Sequence, residues 1–143
     1  MKKTIRKKRK KKTPRQKAHD ILWELCKQYI RLRDKDTCQK CGKKVYGRSA
    51  DTSHVYCKNV YYSMKYDEMN LKLLCMWCHQ WWHNCVLESK DWFAEWFPER
   101  YGYLEARKRI VRKLTLLDLD DLIAEYKDKI ADLKAGKELT SDM

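Results

Sequence analysis

The stretch Asn70–His83, NLKLLCMWCHQWWH, decides the fold. Its apolar run Leu71-Lys72-Leu73-Leu74 reads as a strand. The strand runs into Cys75-Met76-Trp77-Cys78, two thiols at a metal-ligand spacing, and a helix is predicted from about Met76 to Val86. Working outward, Cys38-Gln39-Lys40-Cys41 supplies a second pair, with Gly42 as the turn that lets backbone amides approach the sulfurs. Two CxxC pairs suit a closed tetrahedral zinc site made of Cys38, Cys41, Cys75 and Cys78. Residues 42–74 between them exceed the usual zinc-ribbon spacing and must form a structured element. A structural ion would also help a short chain whose middle has few aliphatic residues, contributing on the order of 10 kcal/mol in finger peptides.

Four thiolates complete a zinc shell, so the histidines inside and after the bracket are left over for other chemistry. His79 and His83 lie one helical turn apart on one face. Such a pair can grip one divalent cation. It also occurs as a plain polar surface feature, and His79, next to Cys78, could instead stand in as a zinc ligand. His54 lies upstream in Thr52-Ser53-His54-Val55-Tyr56, a segment whose alternate residues face opposite sides of a strand. Short strands are expected over residues 44–57 around Gly47, then a Tyr- and Lys-rich loop over 58–68.

The net charge of +13 comes mostly from one end. Eleven of the 33 Lys and Arg lie within residues 2–17, Lys7, Lys8, Arg9, Lys10, Lys11 and Lys12 among them, with no acid, which leaves the rest of the chain near +2. So dense a run repels itself and is expected to be disordered over residues 1–17, with a polyanion as partner. No stretch reaches the ~20 apolar residues of a membrane span, and no signal-peptide core follows the basic start. A cytoplasmic location without membrane contact is expected, where the seven cysteines stay reduced and bind metal rather than pair. Cys26 is expected in the core, with Cys57 and Cys85 as bystanders.

Residues 18–113 are expected to form one domain of α+β class, flanked by helices. Ile21, Leu22, Leu25, Tyr29 and Leu32 recur at helical spacing from about Arg15 to Arg33. Ser89 is placed to cap a helix bearing Trp92, Phe93, Trp96 and Phe97, stopped at Pro98. Tyr103 to Lys113 reads as helical. Asp118 resembles the capped start of a last helix within 114–136, whose stripe Leu119, Leu122, Ile123, Tyr126, Ile130 and Leu133 would cap the core or pair with a second copy. Residues 137–143 are expected to fray.

The order histidine, asparagine, histidine across strand, loop, strand and helix resembles the HNH nuclease motif, also called the ββα-metal or His-Me finger motif. The matching residues are Ser53-His54, then Tyr66-Asp67, Asn70, and Leu74-Cys75 through Cys78-His79 to His83. More narrowly, the chain is similar to phage recombination endonucleases of the NinG/Rap type, which share the Cys38–Gly42 knuckle and an aromatic segment like Trp92–Phe97. The resemblance covers roughly residues 25–105. It implies a metal-dependent DNA endonuclease acting on branched or partly single-stranded DNA and leaving a 5′ phosphate and a 3′ hydroxyl. It also implies His54 as general base, Asn70 orienting that base, and His79 and His83 holding Mg²⁺ or Mn²⁺. Many HNH enzymes carry Asp or His just before the base; this chain has Ser53, a poor ligand for a hard cation, so Asp51 is a second candidate. Lys58, Lys65 and Lys72 are expected to contact phosphates, and Tyr61 and Tyr62 to stack on bases or pack inward. Two other functions fit the same residues: a non-catalytic zinc module that binds nucleic acid, and a sequence-specific or packaging-associated HNH nuclease.

Overall fold

A computed structural model describes residues 4–136. Residues 4–13 are exposed and carry no regular secondary structure, whereas residues 14–17 of the expected tail already belong to the first helix. Lys2, Lys3 and the expected frayed end at 137–143 lie outside the described residues. Five helices and one antiparallel pair of strands are described: α1 Pro14–Arg33, β1 Ala50–His54, β2 Leu71–Cys75, α2 Met76–Asn84, α3 Val86–Trp96, α4 Pro98–Arg107 and α5 Leu116–Lys134. The class is α+β. Among the described residues, no helix is long and apolar enough to cross a membrane.

The start of α1 is written in three residues. Thr13 accepts from the Gln16 amide, the Gln16 side chain returns the bond to Thr13 N–H, and Pro14 takes the first helical position, where its missing N–H costs nothing. Leu22, Cys26, Tyr29 and Ile30 form its buried stripe. Against them lies α5, whose Leu119, Tyr126 and Ile130 are buried. Tyr29 meets Tyr126 edge-on at 5.5 Å, and Tyr126 Oη donates to the Tyr66 carbonyl at 2.5 Å. The C-terminal stripe is therefore covered by α1 of its own chain, which removes it as the surface for pairing with a second copy. Its cap is Thr115, with Asp118 completing the capping box three residues on. The helix thus begins earlier than a start at Asp118 implies.

The register of the sheet pairs Ala50 with Cys75, Ser53 with Lys72 and His54 with Leu71. β2 is buried along its whole length. Its outer edge is satisfied by side chains: Leu73 N–H donates to Asp34 Oδ2 at 3.0 Å, and Arg33 and Arg100 donate to the Leu71 carbonyl at 2.6 and 2.7 Å. Thr52 and His54 of β1 line a cleft. The rest of the expected strand region is irregular: Lys44 makes only an isolated bridge to Thr37, and Gly47–Ser49 forms a 3₁₀ turn with Gly47 at φ +54°.

The helical segments differ from expectation at their joints. α2 ends at Asn84 because Cys85 leaves helical geometry, and α3 then begins at Val86. Ser89 is inside α3, buried, and donates to the carbonyls of Trp82 and Val86 at 3.1 Å each, locking the two helices together instead of capping one. Pro98 starts α4 rather than only stopping α3, and α4 ends at Arg107, short of Lys113.

Candidate functional site

The four knuckle cysteines converge. The sulfurs of Cys38, Cys41, Cys75 and Cys78 all lie within 4.8 Å of one another, and Cys41 Sγ is 3.9 Å from Cys75 Sγ. Four ligands at about 2.3 Å around a tetrahedral ion would stand about 3.8 Å apart. The set is thus one that could hold a metal ion. The fold builds it from both sides. Gln39 N–H bonds to the Leu73 carbonyl at 2.9 Å, tying the first knuckle to β2, and Gly42 (φ +76°) closes its turn with a 2.9 Å bond to the Cys38 carbonyl. Cys75 caps α2, its sulfur accepting from Cys78 N–H at 3.4 Å. At Cys38, burial pushes the thiol pKa up, but backbone N–H donors prevail and bring it down to about 7, toward the thiolate that binds metal.

His79 and His83 lie one turn apart on α2, His83 in its last turn, and neither belongs to the cysteine cluster. Their Nε2 atoms are 3.0 Å apart. Two nitrogens bound at about 2.1 Å and at a right angle to each other would be about 3.0 Å apart. The spacing thus suits a shared divalent cation as well as an N–H···N hydrogen bond between the two rings. Asp51 Oδ2 lies 3.2 Å from His79 Nδ1. An Nδ1–H donated to that carboxylate leaves the lone pair on His79 Nε2, the tautomer a metal needs. Burial, with His79 and Lys72 as nearby positive fields, lowers the pKa of His83 and favours its neutral, ligating form. Asp51 is thus placed to orient His79. With Asp51→Asn the expected loss in Mn²⁺ affinity is about 10- to 100-fold, read by titration calorimetry of zinc-loaded protein; an unchanged affinity would remove Asp51 from this role.

Ser53 takes no part in that cluster. Its side chain is buried, and the Lys72 ammonium donates to its Oγ at 3.1 Å. Lys72 corrects a second expectation. It is fully buried, with Nζ 3.3 Å from the centroid of the Trp82 ring and 3.4 Å from the His54 carbonyl, so it cannot reach a phosphate. Burial drives its pKa well below the usual lysine value. The alternation of β2 placed Lys72 on a face that α2 covers.

His54 lines one cleft together with His79 and His83, a cavity of about 520 Å³ that also exposes Lys58 and Tyr61. Its Nε2 is 3.0 Å from the Lys65 carbonyl. A carbonyl only accepts, so Nε2 carries the proton and Nδ1 keeps the lone pair. One face of the ring stacks on Trp23 at 5.2 Å and 14°. Burial lowers its pKa to about 4; the Lys65 carbonyl opposes this, and the fields of Lys58, Lys72 and Lys65 add to it. Trp23 is a site residue that no sequence motif singles out. No local spacing links positions 23 and 54.

Asn70 is buried and touches no solvent. Its Oδ1 accepts from Tyr56 N–H at 2.8 Å, while Nδ2 donates to the carbonyls of Tyr56 and Met64 at 3.2 and 3.0 Å. These three bonds hold the Met64 end of the loop, next to the Lys65 carbonyl that accepts from His54. Leaving them unmade in Asn70→Ala is expected to lower the unfolding free energy by about 3 kcal/mol in urea melts.

The remaining expected contacts spread around the rim. Lys58 is exposed, Tyr62 is 41% exposed, Tyr61 packs edge-on to Tyr56 at 5.2 Å, and Lys65 lies over the Tyr66 ring. In the tail, Lys12 pairs with Asp20 at 2.5 Å, and Lys7, Lys8, Arg9, Lys10 and Lys11 are exposed. Cys26 is buried in the core, Cys57 is exposed and Cys85 is half-buried. No family model, curated protein or solved structure matches the chain.

Proposed function

We propose that the chain is a metal-dependent DNA endonuclease of the HNH type, its ββα core built from β1, β2 and α2 around structural zinc on the four cysteines. The observation that carries this reading is one shared cleft: His54, with a free Nδ1, and the converging Nε2 atoms of His79 and His83 line the same cavity. Phosphodiester hydrolysis needs a base for water, positive charge on the phosphoryl group and support for the leaving oxygen. Mg²⁺ or Mn²⁺ held by His79 and His83 would supply the Lewis-acid charge. His54 Nδ1 takes the proton from water as general base. Its low pKa keeps it unprotonated at neutral pH, and an anionic phosphodiester beside it raises the pKa toward the range where a base is effective. Asp51 orients His79, Asn70 orients His54, and Lys58 meets flanking phosphates.

Branched or partly single-stranded DNA is the substrate class we assign, because interleaved Lys and Tyr at the rim suit unpaired bases and their backbone. Zinc-loaded protein is expected to nick supercoiled or branched DNA when Mg²⁺ or Mn²⁺ is added and not otherwise. The buried Ser53 favours one other reading. It leaves the histidine pair without a third protein ligand, as a zinc module that binds nucleic acid without cutting it would. A gel shift without any nicking at either metal would decide for that module.

A further inference from the structure

A second basin, of about 390 Å³, adjoins the histidine cleft. Arg15, His19, Lys58, Tyr62, Lys65 and Lys113 line it. Lys58 and Asn59 line both cavities, so the two are neighbours that share these residues. Lys65 joins them a second way, since its carbonyl holds the His54 ring while its side chain faces the basin. Four permanent cations come here from four separate parts of the chain: the first turn of α1, two points of the 55–70 loop and the segment before α5. No carboxylate lines the basin. The nearby Asp20 is already engaged by Lys12.

Such crowding is unfavourable by itself. Burial and then the fields of Lys65 and Arg15 lower the pKa of His19, and burial and then Lys58 lower that of Lys65. A cluster of like charges opposed by Asp20, itself shared with Lys12, relaxes when a polyanion arrives. The basic residues 4–12 lead into α1 one turn from Arg15, which extends the same positive surface outward. Past Leu114, which lines both, the neighbouring cleft carries Asp67, Glu68, Asp118, Asp121 and Glu125 against three cations. A nucleic-acid strand is steered to one side of Leu114 and repelled from the other.

We infer that this basin holds the phosphodiester backbone of the strand bound in the histidine cleft, on one side of the reacting phosphate, with Tyr62 stacking on an unpaired base. The inference rests on the nuclease reading for the phrase "reacting phosphate", but its test reads binding alone. Zinc-loaded full-length chain is titrated with fluorescein-labelled oligothymidylate at several salt concentrations with no divalent ion added. Each single-strand phosphate contact contributes about 0.7 to the slope of log K on log salt. Lys65→Gln/Lys113→Gln is expected to reduce the slope by about 1.4 and weaken binding by roughly tenfold or more near 0.1 M salt. Lys27→Gln/Lys43→Gln, which removes two lysines outside both cavities, is expected to change neither. Trimming the oligonucleotide one residue at a time from one end is expected to cost affinity in the wild type and not in the basin variant. Equal slopes for wild type and basin variant, or equal trimming profiles, would overturn the inference. Nicking is scored separately with Mn²⁺. Nicking with an unaltered basin variant sinks the basin alone, whereas basin-dependent binding without nicking sinks the nuclease reading alone.

Discussion

His54→Ala is expected to lower the single-turnover nicking rate by about 10²- to 10⁴-fold, the range a positioned general base contributes. DNA affinity should stay within about twofold of wild type, because the ring offers a lone pair and not a permanent charge to the phosphate. The environment of the ring also sets a pH signature. The folded pKa is about 4, against an ordinary histidine value of 6.5. Between those values the unfolded chain binds a proton that the folded chain does not, so stability from this group rises with pH. The contribution is complete above pH 6.5 and lost as pH falls through 4, and amounts to about 3 kcal/mol at most. Melts of wild type and His54→Ala from pH 7.5 to 4.5 check this, with the wild type losing more stability than the variant. Nicking by the wild type should fall from a higher pH than its stability does, because the bound phosphodiester raises the pKa of the ring. A variant that nicks as fast as wild type would take the base from position 54.

Removing a metal ion from the cysteine cluster is expected to have the second large effect. Chelation at neutral pH, or Cys75→Ser, is expected to abolish cooperative unfolding, since structural zinc contributes on the order of 10 kcal/mol in comparable small sites. Cys75 is the most consequential of the four. It ends β2, pairs with Ala50, caps α2 and presents one of the four sulfurs. Losing its thiolate unties the sheet from the helix that carries His79 and His83. The loss would appear in circular dichroism melts and in release of zinc to a colorimetric chelator. A folded, zinc-free protein with wild-type melting would show that the cysteine cluster is not the keystone of the core.

The residues that fixed the α+β class and the cysteine cluster were local and chemically loud. CxxC spacing, Gly42, and an apolar strand leading into a helix each have one reading that physics prefers. The α1 and α5 stripes were legible for the same reason, since burial on one face imposes a 3.6-residue period. What escaped depended on partners remote in sequence. Lys72 read as a surface cation because a single strand cannot say which of its faces a later helix will cover. Ser89 read as a cap because its hydroxyl suits one, yet the break at Cys85 placed it between two helices. Trp23 and Asp51 gained their contacts to His54 and His79 only when α1, β1 and α2 came together. Arg15, His19 and Lys113 share a basin although nothing in their spacing joins them.

The claim on which the rest depends is that two ions have two separate homes, one closed among thiolates and one open to the His54 cleft. Anomalous diffraction from Mn²⁺-soaked crystals, recorded at the zinc and manganese edges, tests it directly. The predicted result is a zinc peak among Cys38, Cys41, Cys75 and Cys78 and a manganese peak between His79 Nε2 and His83 Nε2 on the His54 side. A zinc ion that includes His79 in its shell, or no manganese at the histidine pair, would contradict it.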